Sequence, residues 1–189
     1  ALARKGFRRV ILSLGFMADK ISGYFGRRFA GMDLVYVLED KPLGTGGGIR
    51  LALEQVTADH VFVFNGDTFL DLEVDEVESH WKKWQRPLIV GREVADTERY
   101  GRLLVADDVV TGFAEKGIAG AGLINAGCYV LRRGQLDDFP LGTAFSMEEN
   151  YLTFAVSRRE FDVFVTQGKF IDIGIPEDFL RAQKELADY

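Results

Sequence analysis

Cysteine, proline and histidine are all scarce: the 189 residues include one Cys, four Pro and two His. The lone thiol, Cys128, excludes an intramolecular disulfide and a cysteine metal cluster, and it makes a reducing cytoplasm the expected compartment. Scarce Pro beside 15 Phe makes a disordered or low-complexity chain a poor reading, and no linker is rich in Pro, Gly or Ser. No apolar run reaches the about 18 residues of a transmembrane helix, so no membrane association is expected. The opening residues 1–6 have no apolar stretch of the kind a secretory leader needs. Positive charge is not in excess either. Lys and Arg number 23 against 29 Asp and Glu, a formal net charge of -6. Non-specific nucleic-acid binding requires a basic field that neutralises phosphates, and this balance excludes it. A phosphorylated small molecule is not excluded, because local Lys or Arg or a divalent cation can meet a phosphate inside an acidic protein.

What the chain does have is a large apolar fraction, 47%, with 15 Phe. That suits one ordinary domain over residues 1–189 with a continuous core. Apolar runs at 10–14, 34–38, 60–64 and 87–91 read as strands. Between them, 17–25 and 74–84 carry helical spacing, with Met17, Ile21, Tyr24 and Phe25 on one face and Val77, Trp81 and Trp84 on the other helix's face. Residues 41–48 form a loop leading into a helix through about residue 55. This alternation predicts a parallel sheet covered by helices. After Gly101 the rhythm changes to strands with short connections, at 102–105, 109–113 and 126–131, and Asp107-Asp108 is a hairpin turn. A short helix follows Ser146. Residues 161–165 and 169–173 read as a closing hairpin across Gln167-Gly168. The last helix begins at Pro176, with acidic Glu177 and Asp178 in its first turn. The tryptophans, most Phe and Cys128 read as core, and the two histidines as structural.

Five places could carry chemistry. Asn65-Gly66-Asp67 follows an apolar strand, where ligands of open α/β sheets bind. A carboxylate there suits Mg²⁺, which takes only one or two protein oxygens, but these residue types are also common in turns. Pro42 to Gly48 holds more glycine than a turn requires. It allows close approach by a ligand, and the helix start behind it offers backbone N–H groups. It matches neither a Walker A loop nor a dinucleotide fingerprint, so a plain loop competes with a nucleotide contact. Asp172 stands between Ile171 and Ile173, and a metal, a Lys or exposure to water would satisfy it. Glu115-Lys116 is either solvated surface or a pair that takes sugar hydroxyls and a phosphate. Arg99-Tyr100-Gly101 also reads as no more than a loop with an aromatic.

The order of these pieces is more specific than any one of them. Pro42-Leu43-Gly44-Thr45-Gly46-Gly47 precedes Asn65-Gly66-Asp67; then come Arg99-Tyr100-Gly101, Glu115-Lys116, Ile124-Asn125-Ala126-Gly127 and Phe170-Ile171-Asp172-Ile173-Gly174. This order resembles the sugar-phosphate nucleotidyltransferases, also called NDP-sugar pyrophosphorylases, over nearly the whole chain. Within them it looks most like the D-glycero-α-D-manno-heptose 1-phosphate guanylyltransferases, with mannose-1-phosphate guanylyltransferases close by.

The resemblance implies an α/β, three-layer Rossmann-like fold with a mixed, mostly parallel central sheet and a small antiparallel sugar-binding part. It implies nucleotidyl transfer from an NTP, GTP in this subgroup, to a sugar 1-phosphate, giving an NDP-sugar and pyrophosphate, a step toward lipopolysaccharide or capsule precursors. Asp67 and Asp172 would be the catalytic metal ligands, holding Mg²⁺. Gly44, Thr45, Gly46, Gly47, Asn65 and Gly66 would meet the nucleotide. Tyr100, Gly101, Glu115, Lys116 and Asn125 would meet the sugar phosphate. A homo-oligomer is compatible with this reading. The family opens with a strand and a glycine-rich phosphate-binding loop, a unit of roughly 30 residues. The sequence begins about where the family's second strand would, and the expectation is that the native protein has that unit; a genuinely truncated, inactive chain is the other reading. A non-catalytic nucleotide-sugar-binding module of the same fold, or another nucleotide-binding α/β enzyme, are the competing functions.

Overall fold

The computed structural model describes residues 1–187. The chain forms two compact units, residues 1–61 with 132–152, and residues 62–131 with the chain from Thr153 onward.

In the first unit a 3-10 turn, Leu2–Lys5, leads into β1 (Arg9–Leu14) and α1 (Ala18–Phe25). β2 (Arg28–Phe29) and β3 (Met32–Leu38) complete a sheet ordered β1–β3–β2, with β1 and β3 parallel and Val10 opposite Leu34. α1 forms where its spacing predicts, but its apolar face is not a core face. No residue of α1 is buried, and Tyr24 is 78% exposed. Its rings instead pack edge-on, Tyr24 on Phe25 and Phe25 on Phe29 of β2, each pair 4.8 Å between centroids. α2 (Gly44–Leu53) packs against β1 and against a π-helical segment, Met147–Leu152. The glycines expected in a loop before this helix are its first turn.

The second unit takes most of β4 (His60–Phe64), then β5 (Thr68–Leu70), α3 (Val74–Trp84) and β6 (Leu88–Val94). β7 (Leu103–Ala106), β8 (Val109–Phe113) and β9 (Gly122–Arg132) follow, then α4 (Thr153–Ser157), β10 (Asp162–Thr166), β11 (Phe170–Asp172) and α5 (Pro176–Glu185). The large sheet is ordered β4–β9–β6–β10–β8–β7. β6 runs parallel to β10 and antiparallel to β9, and β7 and β8 form an antiparallel hairpin. Asp107 and Asp108 turn that hairpin with φ of 54° and 59°. Two successive positive φ values make the mirror-image turn whose twist matches its strands.

The core lies between α3 and the large sheet, where Leu72, Val77, Trp81, Leu88, Val90 and Cys128 are buried together. Trp84 does not join them. It is 54% exposed, at the end of α3, with the Lys83 ammonium 4.5 Å from its ring centroid. Phe16, Phe154 and Phe179 are also exposed rather than core.

The closing hairpin expected across Gln167-Gly168 is absent. β10 pairs with β6 and β8, while β11 pairs antiparallel with β5 in a separate two-stranded sheet. Two features divert the chain between them. The Glu73 carboxylate accepts hydrogen bonds from the Thr166 hydroxyl (2.5 Å) and the Gln167 amide (3.1 Å). Gly168 then passes so close to the Asp71 carbonyl that a Cβ would stand 1.9 Å from its oxygen.

Candidate active site

In the first unit, the glycine-rich turn owes its composition to packing. A Cβ on Gly46 would stand 2.2 Å from the Phe145 ring, and one on Gly47 would stand 2.5 Å from the Thr143 carbonyl oxygen. Gly44 adopts φ 70°, a conformation that favours glycine. The amides of Gly46 and Gly47 both donate to the Phe145 carbonyl, at 3.0 and 3.3 Å. The Thr45 hydroxyl accepts the Met147 amide at 2.9 Å. The close approach that glycine permits is made here by residues 143–145 of the chain itself. The helix-start amides of Gly46 and Gly47, read from the sequence as ligand donors, already have a protein acceptor.

In the second unit, strand pairing assembles residues that are far apart in sequence. Asn65-Gly66-Asp67 leaves the end of β4 exposed to solvent. The β5–β11 register sets Asp172 opposite Thr68, and the Ile173 amide donates to the Asp67 carbonyl at 2.9 Å. Asp67 and Asp172 therefore sit on neighbouring segments, one residue out of register. The Asp67 carboxylate is exposed and makes no hydrogen bond or ion pair among the described residues.

Asp172 is partly buried, and its partner is one the sequence did not suggest. Its Oδ1 accepts the Gly174 amide at 2.9 Å, and its Oδ2 lies 3.7 Å from Arg99 Nη2. Arg99 Nη1 also donates to Asp178 Oδ2 at 2.6 Å, and Asp178 is buried in the first turn of α5. Arg181 reaches the other Asp178 oxygen at 3.1 Å. The hydrogen bond to Asp178 raises the Arg99 pKa further above its usual value. The Arg99 guanidinium lies 5.6 Å from the Tyr100 ring centroid, and Tyr100 packs edge-on against Phe170 at 6.1 Å. Burial, and next the Asp172 carboxylate, push the Tyr100 hydroxyl pKa up, so it stays protonated at neutral pH.

Among the other expected residues, Asn125 is engaged within the fold. Its Oδ1 accepts the Gly127 amide at 3.0 Å and its Nδ2 donates to the Tyr129 hydroxyl at 2.7 Å. Asn65 lies across Gly127, where a Cβ would stand 2.8 Å from Asn65 Nδ2, and its amide donates to the Gly127 carbonyl at 2.8 Å. Gly101 is partly buried against the Ala114 carbonyl, and Glu115 and Lys116 are exposed on the loop after β8, with no ion pair among the described residues. The structure thus brings Tyr100 to Asp172, and both Asn65 and Asn125 to Gly127. Arg99 and Asp178 were missed as partners of the site, because nothing local in sequence couples positions on separate elements.

Asp67, just before β5, and Asp172, in β11, carry oxygens of the kind a hard cation takes, usually one or two of them from protein. Among the described residues no group of three or more His, Cys, Asp or Glu is placed to enclose a metal.

Residues 1–189 match the nucleotidyl transferase family model, and the chain belongs to that family. It is 35% identical, over its full length and 82% of the relative's, to D-glycero-alpha-D-manno-heptose 1-phosphate guanylyltransferase of Aneurinibacillus thermoaerophilus. The Campylobacter jejuni protein of the same name is 36% identical over 94% of this chain and 79% of that one. Mannose-1-phosphate guanylyltransferase of Mycobacterium tuberculosis is 30% identical, with 53% of its length matched. Among solved structures, HddC from Yersinia pseudotuberculosis superposes with a TM-score of 0.86 at 35% identity, covering 98% of this chain and 81% of that one; it has also been solved with GMP-PN. UTP-bound UGPase from Acinetobacter baumannii shares the fold, with a TM-score of 0.77 at 19% identity over 98% of this chain and 79% of that one. The expected α/β nucleotidyltransferase fold with a mixed sheet is the fold found, but the sheet is not mostly parallel: of the pairings described in the large sheet, β6–β10 is parallel while β6–β9, β8–β10 and β7–β8 are antiparallel.

Proposed function

We propose that the chain transfers a guanylyl group from GTP to a sugar 1-phosphate, of which a heptose 1-phosphate is the leading candidate, releasing pyrophosphate. The observation that carries this reading is the β5–β11 pairing, continued by the bond from the Ile173 amide to the Asp67 carbonyl, which brings the backbone at Asp67 next to the strand that bears Asp172. The choice of guanine and of heptose is supported by the relatives at 35% and 36% identity.

In this reading a phosphate oxygen of the sugar 1-phosphate attacks the α-phosphorus of GTP in line with the departing pyrophosphate. The attacking group is already a nucleophile, so the protein need only position it and neutralise charge. Asp67 and Asp172 would hold Mg²⁺, which when bound neutralises phosphate charge and orients the reacting oxygens. Lys116 supplies a mobile positive charge to the sugar phosphate. Glu115 accepts sugar hydroxyls, and Tyr100, kept neutral, donates from beside Asp172. Gly101 and Asn125 shape the same wall, Gly101 by its small size and Asn125 by holding Gly127. Asn65 and Gly66 approach the nucleotide. Gly44, Thr45, Gly46 and Gly47 belong to the first unit, and a role for them toward the nucleotide rests on the resemblance of their motif to the family rather than on free donors. The product would be a GDP-sugar, of the class that feeds lipopolysaccharide or capsule synthesis, made in the cytoplasm.

The test is pyrophosphate release in the presence of Mg²⁺, with GTP, ATP, CTP and UTP each paired with heptose, mannose and glucose 1-phosphates. It is run on the chain and on a form extended at its N-terminus. GTP with heptose 1-phosphate is expected to turn over best, with turnover lost in Asp67→Asn and Asp172→Asn. Binding of a nucleotide sugar with no turnover of any pair would favour the non-catalytic module instead.

A further inference from the structure

Arg102 lies in the connection between β6 and β7, and it takes no part in the site as described above. Its surroundings are unusual for a loop residue. Three consecutive backbone carbonyls of the β8–β9 connection, those of Ile118, Ala119 and Gly120, turn toward it. Arg102 Nη2 donates to the Ala119 and Gly120 oxygens at 2.7 and 3.2 Å, with the Ile118 oxygen at 3.5 Å. Its Nε donates to the hydroxyl of Thr97 at 2.6 Å, and that fully buried hydroxyl donates in turn to the Ile118 carbonyl at 2.7 Å. A charged planar fork meeting backbone oxygens in this way forms bonds about twice as strong as neutral ones.

Backbone and carboxylate contacts complete the seam. The Thr97 amide donates to the Gly120 carbonyl at 3.0 Å, and the Gly117 amide to the Glu98 carbonyl at 3.0 Å. Asp96 Oδ1 accepts the amides of Gly120 and Glu98, at 3.0 and 3.1 Å. Gly117 and Gly120 have φ of 90° and 96°, so this loop shape depends on glycine at both places. A Cβ on Gly122 would stand 3.1 Å from Arg102 Nε and 3.1 Å from Thr97 Cγ2, so glycine there makes room for the guanidinium.

The seam joins the two loops that carry the sugar-phosphate residues of the proposed reaction. One bears Tyr100 and Gly101. The other bears Glu115 and Lys116, whose side chains are exposed and hold no protein partner among the described residues. The Tyr100 ring has Phe170 beside it, but the tip with Glu115 and Lys116 has no such anchor among the described residues. Side chains on loops act reproducibly only when neighbouring bonds lock the loop.

We propose that Arg102 is a positioning residue for the sugar 1-phosphate: by gathering the Ile118, Ala119 and Gly120 carbonyls it holds Glu115 and Lys116 in place beside Tyr100. This rests on the function proposed above.

The experiment compares Arg102→Met, which keeps the stem and loses the donors, with Arg102→Lys and with Thr97→Val, which keeps its shape and loses the hydroxyl link. Two readouts are taken on each. Amide hydrogen exchange reports whether residues 115–121 open, and steady-state kinetics separates the KM for sugar 1-phosphate from the KM for GTP. Arg102→Met is expected to speed exchange at 115–121 while β9 stays protected. It should raise the KM for sugar 1-phosphate about tenfold with the KM for GTP unchanged. Arg102→Lys should fall between it and the parent, and Thr97→Val should shift both readouts the same way more weakly. Unchanged exchange, or faster exchange with an unchanged sugar-phosphate KM, overturns the proposal. If Arg102→Met does not fold, Thr97→Val decides by the same two readouts. A parent protein that turns over no pair overturns it together with the functional reading, and the exchange data then show whether the seam itself was real.

Discussion

Arg99 Nη2 stands 3.7 Å from Asp172 Oδ2 while Nη1 donates to Asp178 Oδ2 at 2.6 Å, so one guanidinium ties the end of β11 to the first turn of α5. Arg99→Met keeps the stem and removes both links. Leaving a buried carboxylate without its charge partner is costly. Here two features reduce the loss: the Arg99 side chain is 44% exposed, and Arg181 still reaches Asp178. The expected destabilisation is about 1–2 kcal/mol, read from urea denaturation. A loss within about 0.5 kcal/mol, the range of an ordinary surface change, would mean that Arg181 alone satisfies Asp178.

The two aspartates proposed to hold the metal should separate in stability and agree in activity. Asp67 is exposed and unpartnered among the described residues, so Asp67→Asn is expected to change stability by no more than about 0.5 kcal/mol. Asp172→Asn weakens the bond from the Gly174 amide and removes the charge facing Arg99, which should cost about 1 kcal/mol. Both variants should lower kcat by about a hundredfold or more. Paired thermal melts and pyrophosphate-release assays check this. Full activity in Asp67→Asn would remove Asp67 from the reaction.

Glycine at position 46 is a packing requirement, and that can be separated from any role toward a nucleotide. Gly46→Ala would put its Cβ 2.2 Å from the Phe145 ring, itself stacked on Phe139 at 4.0 Å. Overpacking of this kind costs about 1–3 kcal/mol. Gly66→Ala meets nothing within 4 Å and should cost little. Adding Phe145→Leu to Gly46→Ala should recover part of the loss, a coupling that a double-mutant cycle measures. Additive effects would show that the ring is not what excludes a side chain at 46.

How much of this was legible before the structure varies with the range of the interactions. β1, β3, β4 and α3 follow from apolar runs and helical spacing, and the Asp107-Asp108 turn from local chemistry; all are decided by neighbours in sequence. The pairing of β10 and β11 was misread because Gln167-Gly168 looks like a hairpin turn. The partners that decide it, Glu73 and the Asp71 carbonyl, lie on another part of the chain. The same reason hid Arg99 from Asp172 and Phe145 from Gly46. The exposed rings of α1 show a second cause: periodicity reports an apolar face but not whether anything covers it. The order of the motifs implies roles for Asp67 and Asp172, and the strand register adds that their backbones lie on neighbouring segments, one residue out of register, which no single motif shows.

Cys128 gives the stability of the second unit an alkaline limit. Burial pushes its thiol pKa far above the ordinary value of 9.0, so the folded protein cannot ionise it in the working range. Once unfolded, the same thiol ionises near that ordinary value. The folded pKa is therefore the raised one: its contribution is fully present below about pH 9 and is lost as pH rises through the interval up to the folded value. The loss approaches about 1.4 kcal/mol per pH unit once the unfolded thiol is ionised. Tyr100, also raised by burial, adds the same sign of effect from its ordinary value of 10.0 upward. Cys128→Ala opens a small cavity, which shifts stability by about 1 kcal/mol at every pH, but it removes the Cys128 contribution to the slope. Urea denaturation at intervals between about pH 8 and pH 10.5 should therefore give a steeper decline in the parent than in the variant, with Tyr100 contributing equally to both. Parallel declines would mean that the thiol reaches solvent and ionises without unfolding.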